Sequence, residues 1–136
     1  YLTEGVLLFT TDGAAAHALM HPKGEVERTY EVTVHGDAPT AVRAARRGVM
    51  LHDGPVELHD ISASPLEAGR WILRVTIAEG RNREVRRLCR ALELSVERLV
   101  RVRFGPVELG RLAPGEARPL TAREHERVRD LITPER

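Results

Sequence analysis

Hydrophobic and polar positions alternate most clearly in two stretches of the chain. In residues 26–34, valines, Arg28 and Tyr30 share one face, and glutamates and threonines share the other. In residues 71–77, Trp, Leu, Val and Ile occupy every second position. A period of two is typical of a strand with one buried face. Both stretches are therefore predicted to be half-buried β-strands.

Shorter apolar runs bounded by turn residues predict further strands. The run at residues 5–10 ends at Asp12-Gly13, and the run at residues 96–104 ends at Gly105-Pro106. Weaker strands are predicted at residues 56–62 and 107–109, and a turn is predicted at Glu79-Gly80.

Four segments are predicted as helices. Apolar residues recur at i, i+3, i+4 and i+7 from Val85 to Leu92, which places one apolar stripe on a helix whose other surface is basic. Thr121 and Glu124 have the spacing of a capping box and open a last helix that runs through Leu131. The other two predicted helices are residues 14–20, stopped by a proline, and residues 37–47, with a proline near the start and a glycine at the end.

The uneven alternation of strands and helices predicts an α+β fold with a mixed, largely antiparallel sheet and helices packed on it. A chain of 136 residues buries one modest core, so residues 1–136 are expected to form one domain. The glycines form neither a dinucleotide-binding nor a P-loop motif, so the sequence supports neither kind of phosphate site.

The composition indicates in which compartment of the cell the protein works. No apolar run approaches the roughly 20 residues of a membrane helix, and the first residues lack the layout of a signal peptide. Cys89 is the single cysteine, and the six histidines show no spacing that would build a zinc site with it. We therefore expect a soluble protein of the reducing cytoplasm, with no metal and no membrane contact.

Positive charge is concentrated in one part of the chain. Residues 81–103 contain eight arginines and three glutamates, whereas the whole chain has a net charge of only +1. Arginine is suited to phosphate and carboxylate because its planar fork can bind both oxygens of such a group. The stretch predicts either a surface for a polyanion or an ordinary solvated charged face.

The start of the basic helix is the strongest candidate site. A turn into a helix presents backbone N–H groups that favour an anion. Arg83 and Arg87 lie on adjacent turns, where like charges repel unless an anion binds between them. The repulsion therefore favours an anion-binding site over an ordinary solvated helix.

Tyr30 is the second candidate. Its position on an apolar face is compatible with an ordinary core aromatic residue. Base rates favour that interpretation, whereas Arg28, two residues earlier on the same face, supports the alternative that one end of the strand opens into a polar cleft. There the ring could stack on a base and the phenol could assist proton transfer.

Several motifs in the correct order resemble those of ribosomal RNA pseudouridine synthases of the RsuA type. The segment Gly80-Arg81-Asn82-Arg83-Glu84-Val85-Arg86-Arg87-Leu88 is similar to the family's G-R-N-R-Q-V-R-R-M. The openings at residues 1–13, 16–22 and 27–30 and the closing segments at residues 101–106 and 109–116 also resemble the family. The resemblance covers nearly the whole chain. The sequence departs from the family pattern at Glu84, Leu88 and residues 93–95. These departures leave the RNA target undefined, but they do not change the class of enzyme that the motifs resemble.

The resemblance implies where the catalytic acid belongs. Thr3 and Gly5 match the last two residues of the family motif G-R-L-D-x-x-T-x-G, so the catalytic aspartate is expected immediately before Tyr1. We therefore interpret the chain as a partial catalytic domain that lacks the first strand-helix unit and the small RNA-binding domain upstream. By itself it is expected to be inactive.

Roles for this chain's residues follow from the same resemblance. A uridine flipped out of its helix would be held in a pocket, where Tyr30 stacks on the base and transfers protons and Arg86 pairs with the aspartate. That acid acts either as a nucleophile or as an acid/base group. Val85 and Val96 are expected to form apolar walls, and no cofactor is expected. The residues expected to contact ribosomal RNA are Arg28, Arg81, Asn82, Arg83 and Arg87.

Other functions stay open at this point. The main alternative is a non-catalytic module that binds RNA or the ribosome through the same basic face. A DNA-binding domain is poorly supported, because no second helix adjoins the basic helix at helix-turn-helix spacing. The strand at residues 5–10 is also expected to expose a sheet edge that promotes self-association.

Overall fold

The structure, a computed structural model, describes residues 4–5, 26–78, 83–108, 119–124 and 126–127. The strands are β1 (Glu4–Gly5), β2 (Arg28–His35), β3 (Met50–Leu51), β4 (Gly54–Pro55), β5 (Leu58–Pro65), β6 (Arg70–Ile77), β7 (Ser95–Phe104) and β8 (Val107–Glu108). The helices are α1 (Ala38–Arg46) and α2 (Glu84–Ala91).

One sheet organises the described residues. Its strand order is β1-β7-β2-β6-β5, with β8 added to β7. The pairing of β1 with β7 is parallel, and every other pairing in this sheet is antiparallel. β3 and β4 form a separate antiparallel hairpin. The predicted α+β fold with a mixed, largely antiparallel sheet is therefore confirmed.

The core lies against the middle of the sheet. Val32 of β2 is paired with Leu73 of β6 on one side and with Leu99 of β7 on the other, and all three side chains are buried. α1 adds Val42 and α2 adds Leu88 to the same cluster. The inward-facing residues of the strands and the apolar stripe of α2 together form one continuous apolar layer. This layer holds α2 against the sheet.

Helix α1 begins where the sequence places its cap. The side chain of Asp37 accepts a hydrogen bond from the backbone N–H of Thr40 at 3.2 Å, and Pro39 lies in the first turn. Hydrogen bonds from Thr40 hold the pKa of the Asp37 carboxyl below its usual range. The prediction of a helix at residues 37–47 is confirmed because a capping side chain and a proline both act locally.

The predicted strand of residues 26–34 departs from strict alternation at its start. The register of the pairing with β7 shifts between Thr29 and Tyr30. The side chains of Arg28 and Thr29 are both buried. The expectation that Thr29 shares an exposed face with the glutamates is therefore wrong. Its hydroxyl shares a hydrogen bond of 2.9 Å with that of Thr76, which satisfies both polar groups inside the protein.

The hairpin of β3 and β4 was not predicted. Its strands are two residues long, too short for any periodicity to show, although Asp53-Gly54 is a common turn pair. Strand β5 also begins and ends later than the predicted residues 56–62, because its register is set by pairing with β6.

Some predictions lie outside the described residues: the helix at 14–20, the turn at 79–80 and most of the strand at 5–10. The capping box is present, since the N–H of Thr121 donates to Glu124 Oε1 at 2.9 Å and the N–H of Glu124 donates to Thr121 Oγ1 at 3.1 Å. Within the described ranges, no helix has the length and apolar character needed to cross a membrane.

Candidate functional site

Helix α2 presents its arginines opposite a buried apolar stripe. Val85, Leu88 and Cys89 are buried, as the spacing predicts. Arg83, in the left-handed conformation with φ 52°, precedes the helix, and no side chain caps it. This turn directs the chain from the segment after β6 into α2, with its basic face away from the core.

Two cavities flank this basic face. The first has a volume of about 380 Å³, lies between α2 and the turn of the β3–β4 hairpin, and is here called the hairpin pocket. The second, of about 510 Å³, lies between α2 and the start of β7 and is called the strand pocket. Both are lined by Arg83, Arg86 and Arg90. The same three side chains therefore face two neighbouring spaces.

Arg86 is the most unusual of the three. Its Nη2 atom is buried and has no hydrogen-bond partner among the described residues. A buried guanidinium nitrogen without an acceptor is unfavourable by roughly 1–3 kcal/mol or more, which an anion within reach would offset. The arrangement therefore suits a carboxylate or phosphate at Arg86.

Arg87 already has an anionic partner. Its Nη1 and Nη2 atoms contact the two carboxylate oxygens of Asp53 at 2.9 and 3.1 Å. This bidentate pair joins α2 to the hairpin turn. Sequence reasoning missed both Asp53 and its neighbour His52, which lines the hairpin pocket. The Asp53-Gly54 turn pair was the available signal for the hairpin, but nothing in the sequence pairs it with α2.

Tyr30 lies in the middle of the sheet. It is partly buried, packs against the core and is paired with Val75 and Arg101. It is not among the described residues that line the hairpin pocket or the strand pocket. Its convergence with Arg86 on one cleft therefore stays a prediction.

Arg28 is enclosed by the protein. It is only 6% exposed, and its Nη1 atom donates to the carbonyl oxygens of Val26 and Ala78, each at 3.0 Å. Its guanidinium also lies 4.9 Å from the centre of the Phe104 ring. Burial lowers the pKa of Arg28, and the charges of Tyr30, Arg101 and Glu84 also act on it. These contacts place Arg28 in the interior at the ends of three strands.

The predicted apolar walls have different positions. Val85 is 4% exposed and belongs to the core, whereas Val96 is partly buried and lines the strand pocket. Arg81 and Asn82 lie outside the described residues.

Two further observations limit the chemistry of the described region. Burial raises the pKa of the Cys89 thiol from 9.0 to about 12, against an opposing effect of Arg86, so this thiol is not a nucleophile at neutral pH. No group of three or more His, Cys, Asp or Glu side chains in the described ranges is arranged to hold a metal ion.

Sequence comparison finds relatives across most of the chain. The model of the RNA pseudouridylate synthase family matches residues 1–91. An uncharacterized RNA pseudouridine synthase of Mycobacterium tuberculosis is 46% identical over 123 residues, which are 90% of this chain and 48% of that protein. The ribosomal large subunit pseudouridine synthase B of Escherichia coli is 50% identical over 113 residues, 82% of this chain and 39% of that protein. The chain thus spans about half or less of these relatives.

Solved structures have the same fold. A crystal structure of a pseudouridylate synthase aligns with a TM-score of 0.75 and 33% identity, covering 91% of this chain and 54% of that one. A chain in an H/ACA RNP bound to a substrate RNA aligns with a TM-score of 0.58 at 16% identity, covering 78% of this chain and 36% of that one, which shows a shared fold alone.

Proposed function

Because this chain belongs to the RNA pseudouridylate synthase family, we propose that it supplies the pocket in which a uridine of ribosomal RNA is converted to pseudouridine. The observation that carries the proposal is the buried, unpartnered Nη2 atom of Arg86 between two cavities. We propose the cytoplasm as its location, since ribosomal RNA is found there and a free cysteine stays reduced there.

The reaction breaks the bond between C1′ and N1, rotates the base and joins C5 to C1′, after which C5 loses its hydrogen as a proton and N1 takes up a proton. There is no net oxidation or reduction. The protein must provide an acid that faces the sugar, and it must hold the detached base in place. A base inside a helix cannot be reached, so the nucleotide has to be flipped out.

Arg86 is proposed to hold that acid in its ionised form. A positive charge within about 4–6 Å of a carboxylate lowers its pKa, and the free Nη2 atom can donate a hydrogen bond to one carboxylate oxygen. The direction of β1 supports this assignment. Because β1 runs parallel to β7, with Glu4 beside Val100 and Gly5 beside Arg101, Glu4 is the end of β1 nearer the start of β7. Val96 at that end lines the strand pocket with Arg86.

Tyr30 is proposed to stack on the flipped uracil and to move a proton at C5. Its partly buried side chain packs against the core cluster that also contains Val85 and Leu88 of α2, which supports this role. The strand pocket would then hold the sugar and the acid, with Val96 as an apolar wall.

The test is release of tritium from RNA labelled at C5 of uridine. We expect conversion by a chain extended with the residues encoded before Tyr1, and none by the 136-residue chain, because the aspartate is proposed to precede Tyr1. In the extended chain, Arg86→Lys should lower turnover by about a hundredfold or more, since the ammonium of lysine cannot place a donor where the Nη2 atom of the planar guanidinium lies. Arg43→Lys, an exposed change on α1, is the control.

Undiminished turnover in Arg86→Lys would refute the role of Arg86, and turnover by the 136-residue chain would refute the position of the acid. A third result would favour the alternative of a non-catalytic module. In that case RNA binding survives Tyr30→Phe and shows no preference for a flippable uridine, and the extended chain binds RNA without converting uridine to pseudouridine.

A further inference from the structure

We propose that the hairpin pocket binds a phosphodiester group of the RNA backbone beside the uridine whose sugar enters the strand pocket, with His52, Arg83 and Arg90 as its ligands. The identification of RNA as the ligand rests on the proposed function. The pocket itself rests on four observations about the hairpin and α2.

The lining of the pocket is strongly basic. Of the described residues that line it, four are arginines, one is a histidine and one, Asp53, is an acid. Both oxygens of that acid are engaged by Arg87. Among the described residues, no acidic side chain forms an ion pair with Arg83 or Arg90. The pocket therefore carries positive charge that its own acid does not neutralise.

The pair between Asp53 and Arg87 has a positioning role. It spans 34 residues of sequence and joins the turn of the hairpin to the second turn of α2. Because His52 precedes Asp53 in that turn, the pair also holds His52 at the rim of the pocket. The carboxylate is thereby kept from repelling a bound phosphate, and the imidazole is available to donate a hydrogen bond.

The common lining of the two pockets indicates which phosphate binds. Arg83, Arg86 and Arg90 line both spaces, so a group in one pocket lies next to a group in the other. A nucleotide whose sugar enters the strand pocket carries a backbone phosphate on each side. One of these phosphates then falls at the exposed arginines of α2, where the hairpin closes the far wall.

The exposure of the ligands fits a backbone contact rather than base recognition. Arg83, Arg90 and His52 are all exposed, so each can approach a phosphate that stays partly hydrated. Phosphate contacts of this kind position an RNA strand and add affinity without reading its sequence. Their strength falls with salt, because binding releases the counterions of the RNA.

The experiment measures the affinity of the full chain for a fluorescent single-stranded oligouridylate across a series of salt concentrations. Arg90→Ala and His52→Ala remove proposed ligands, and Arg43→Ala on α1 removes an exposed arginine outside both pockets. We expect Arg90→Ala to weaken binding about five- to tenfold and to make the salt slope shallower by about 0.7, the value for one phosphate of a single strand. His52→Ala should weaken binding less, and Arg43→Ala should match the parent chain.

Three outcomes would overturn the proposal. Arg90→Ala and His52→Ala could bind like Arg43→Ala. Inorganic phosphate at the same phosphate concentration could displace the oligouridylate completely, which would mark a site for free phosphate. Polyglutamate could bind as tightly as an oligouridylate of equal charge, and its affinity alone could fall in Arg90→Ala and His52→Ala. That result would mark a site for an acidic protein.

The outcome for the proposed function is separable. If the pocket variants bind normally while Arg86→Lys abolishes conversion in the extended chain, the hairpin pocket fails and the function stands. If RNA binding depends on the hairpin pocket but no extended chain converts uridine, the pocket stands and the proposed function fails. Thermal melts of each variant, followed by circular dichroism, check that its fold is unchanged.

Discussion

Arg28 shows how strongly the role of a residue depends on its partners. From its position near Tyr30, the sequence predicts that Arg28 contacts RNA. In the structure its guanidinium is buried and donates hydrogen bonds to two carbonyl oxygens. The same side chain rests on Phe104, so it connects the start of β2 with the ends of β6 and β7. Ala78, one of its acceptors, is the last described residue before the segment that leads into α2. We infer a positioning role for Arg28.

Replacement of Arg28 by methionine tests this inference. Loss of the donor leaves the carbonyls of Val26 and Ala78 without this partner, so we expect the free energy of unfolding in urea to fall by about 1–3 kcal/mol. Arg28→Lys should recover part of the loss, because one ammonium can reach one carbonyl but cannot stack as a planar group. A variant with unchanged stability and weakened RNA affinity would instead establish a direct RNA contact.

At the scale of elements, the connections decide how helices meet the sheet. Gly36 links β2 to α1 with φ +130°, a conformation that residues with a Cβ atom rarely adopt. A Cβ at this position would lie 2.9 Å from Cδ2 of Leu94, a buried residue between α2 and β7. The two connections are therefore packed against each other, and α1 and α2 depend on the same close approach.

Gly36→Ala is expected to destabilise the protein by about 1–3 kcal/mol through backbone strain, with a further loss from displacement of Leu94. Gly48→Ala is the matched control, since Gly48 has φ +108° and no atom lies within 4 Å of the place that its Cβ would take. Chemical denaturation of both variants compares the two. Equal losses would show that only strain matters and that the contact with Leu94 contributes nothing.

For the whole molecule, the order of strands sets where stability is greatest. β2 has strand neighbours on both sides and β6 likewise, whereas β5 has a described neighbour only in β6. Arg46 donates to the carbonyl of Ile61 at 3.0 Å and satisfies one polar group of β5 outside the ladder. The centre of the sheet therefore carries both the ladder hydrogen bonds and the buried side chains.

Hydrogen exchange should reflect this arrangement. We expect the amides of Val32 and Leu73 to exchange only through global unfolding, and those of β5 that do not pair with β6 to exchange by local opening at much lower free energy. Amide exchange followed by NMR spectroscopy measures both. Exchange of Leu73 as fast as that of exposed β5 amides would contradict the central position of β6 in the stable core.

The sequence by itself determined the local elements and the family. Strands at residues 28–35, 70–77 and 95–104, the capped helix after Asp37 and the stripe of α2 all follow from neighbours a few residues apart, where periodicity and capping act. The motif around Arg86 is also local, so its arginines could be identified from the sequence. These features need no knowledge of distant contacts.

Only the tertiary structure decided the order of strands, the hairpin beside α2, the pairing of Asp53 with Arg87 and the enclosure of Arg28. Each depends on residues far apart in the chain, and a single charge or a two-residue strand leaves no period in the sequence. The unpartnered nitrogen of Arg86 belongs to the same class, because burial of one atom is settled by everything packed around it.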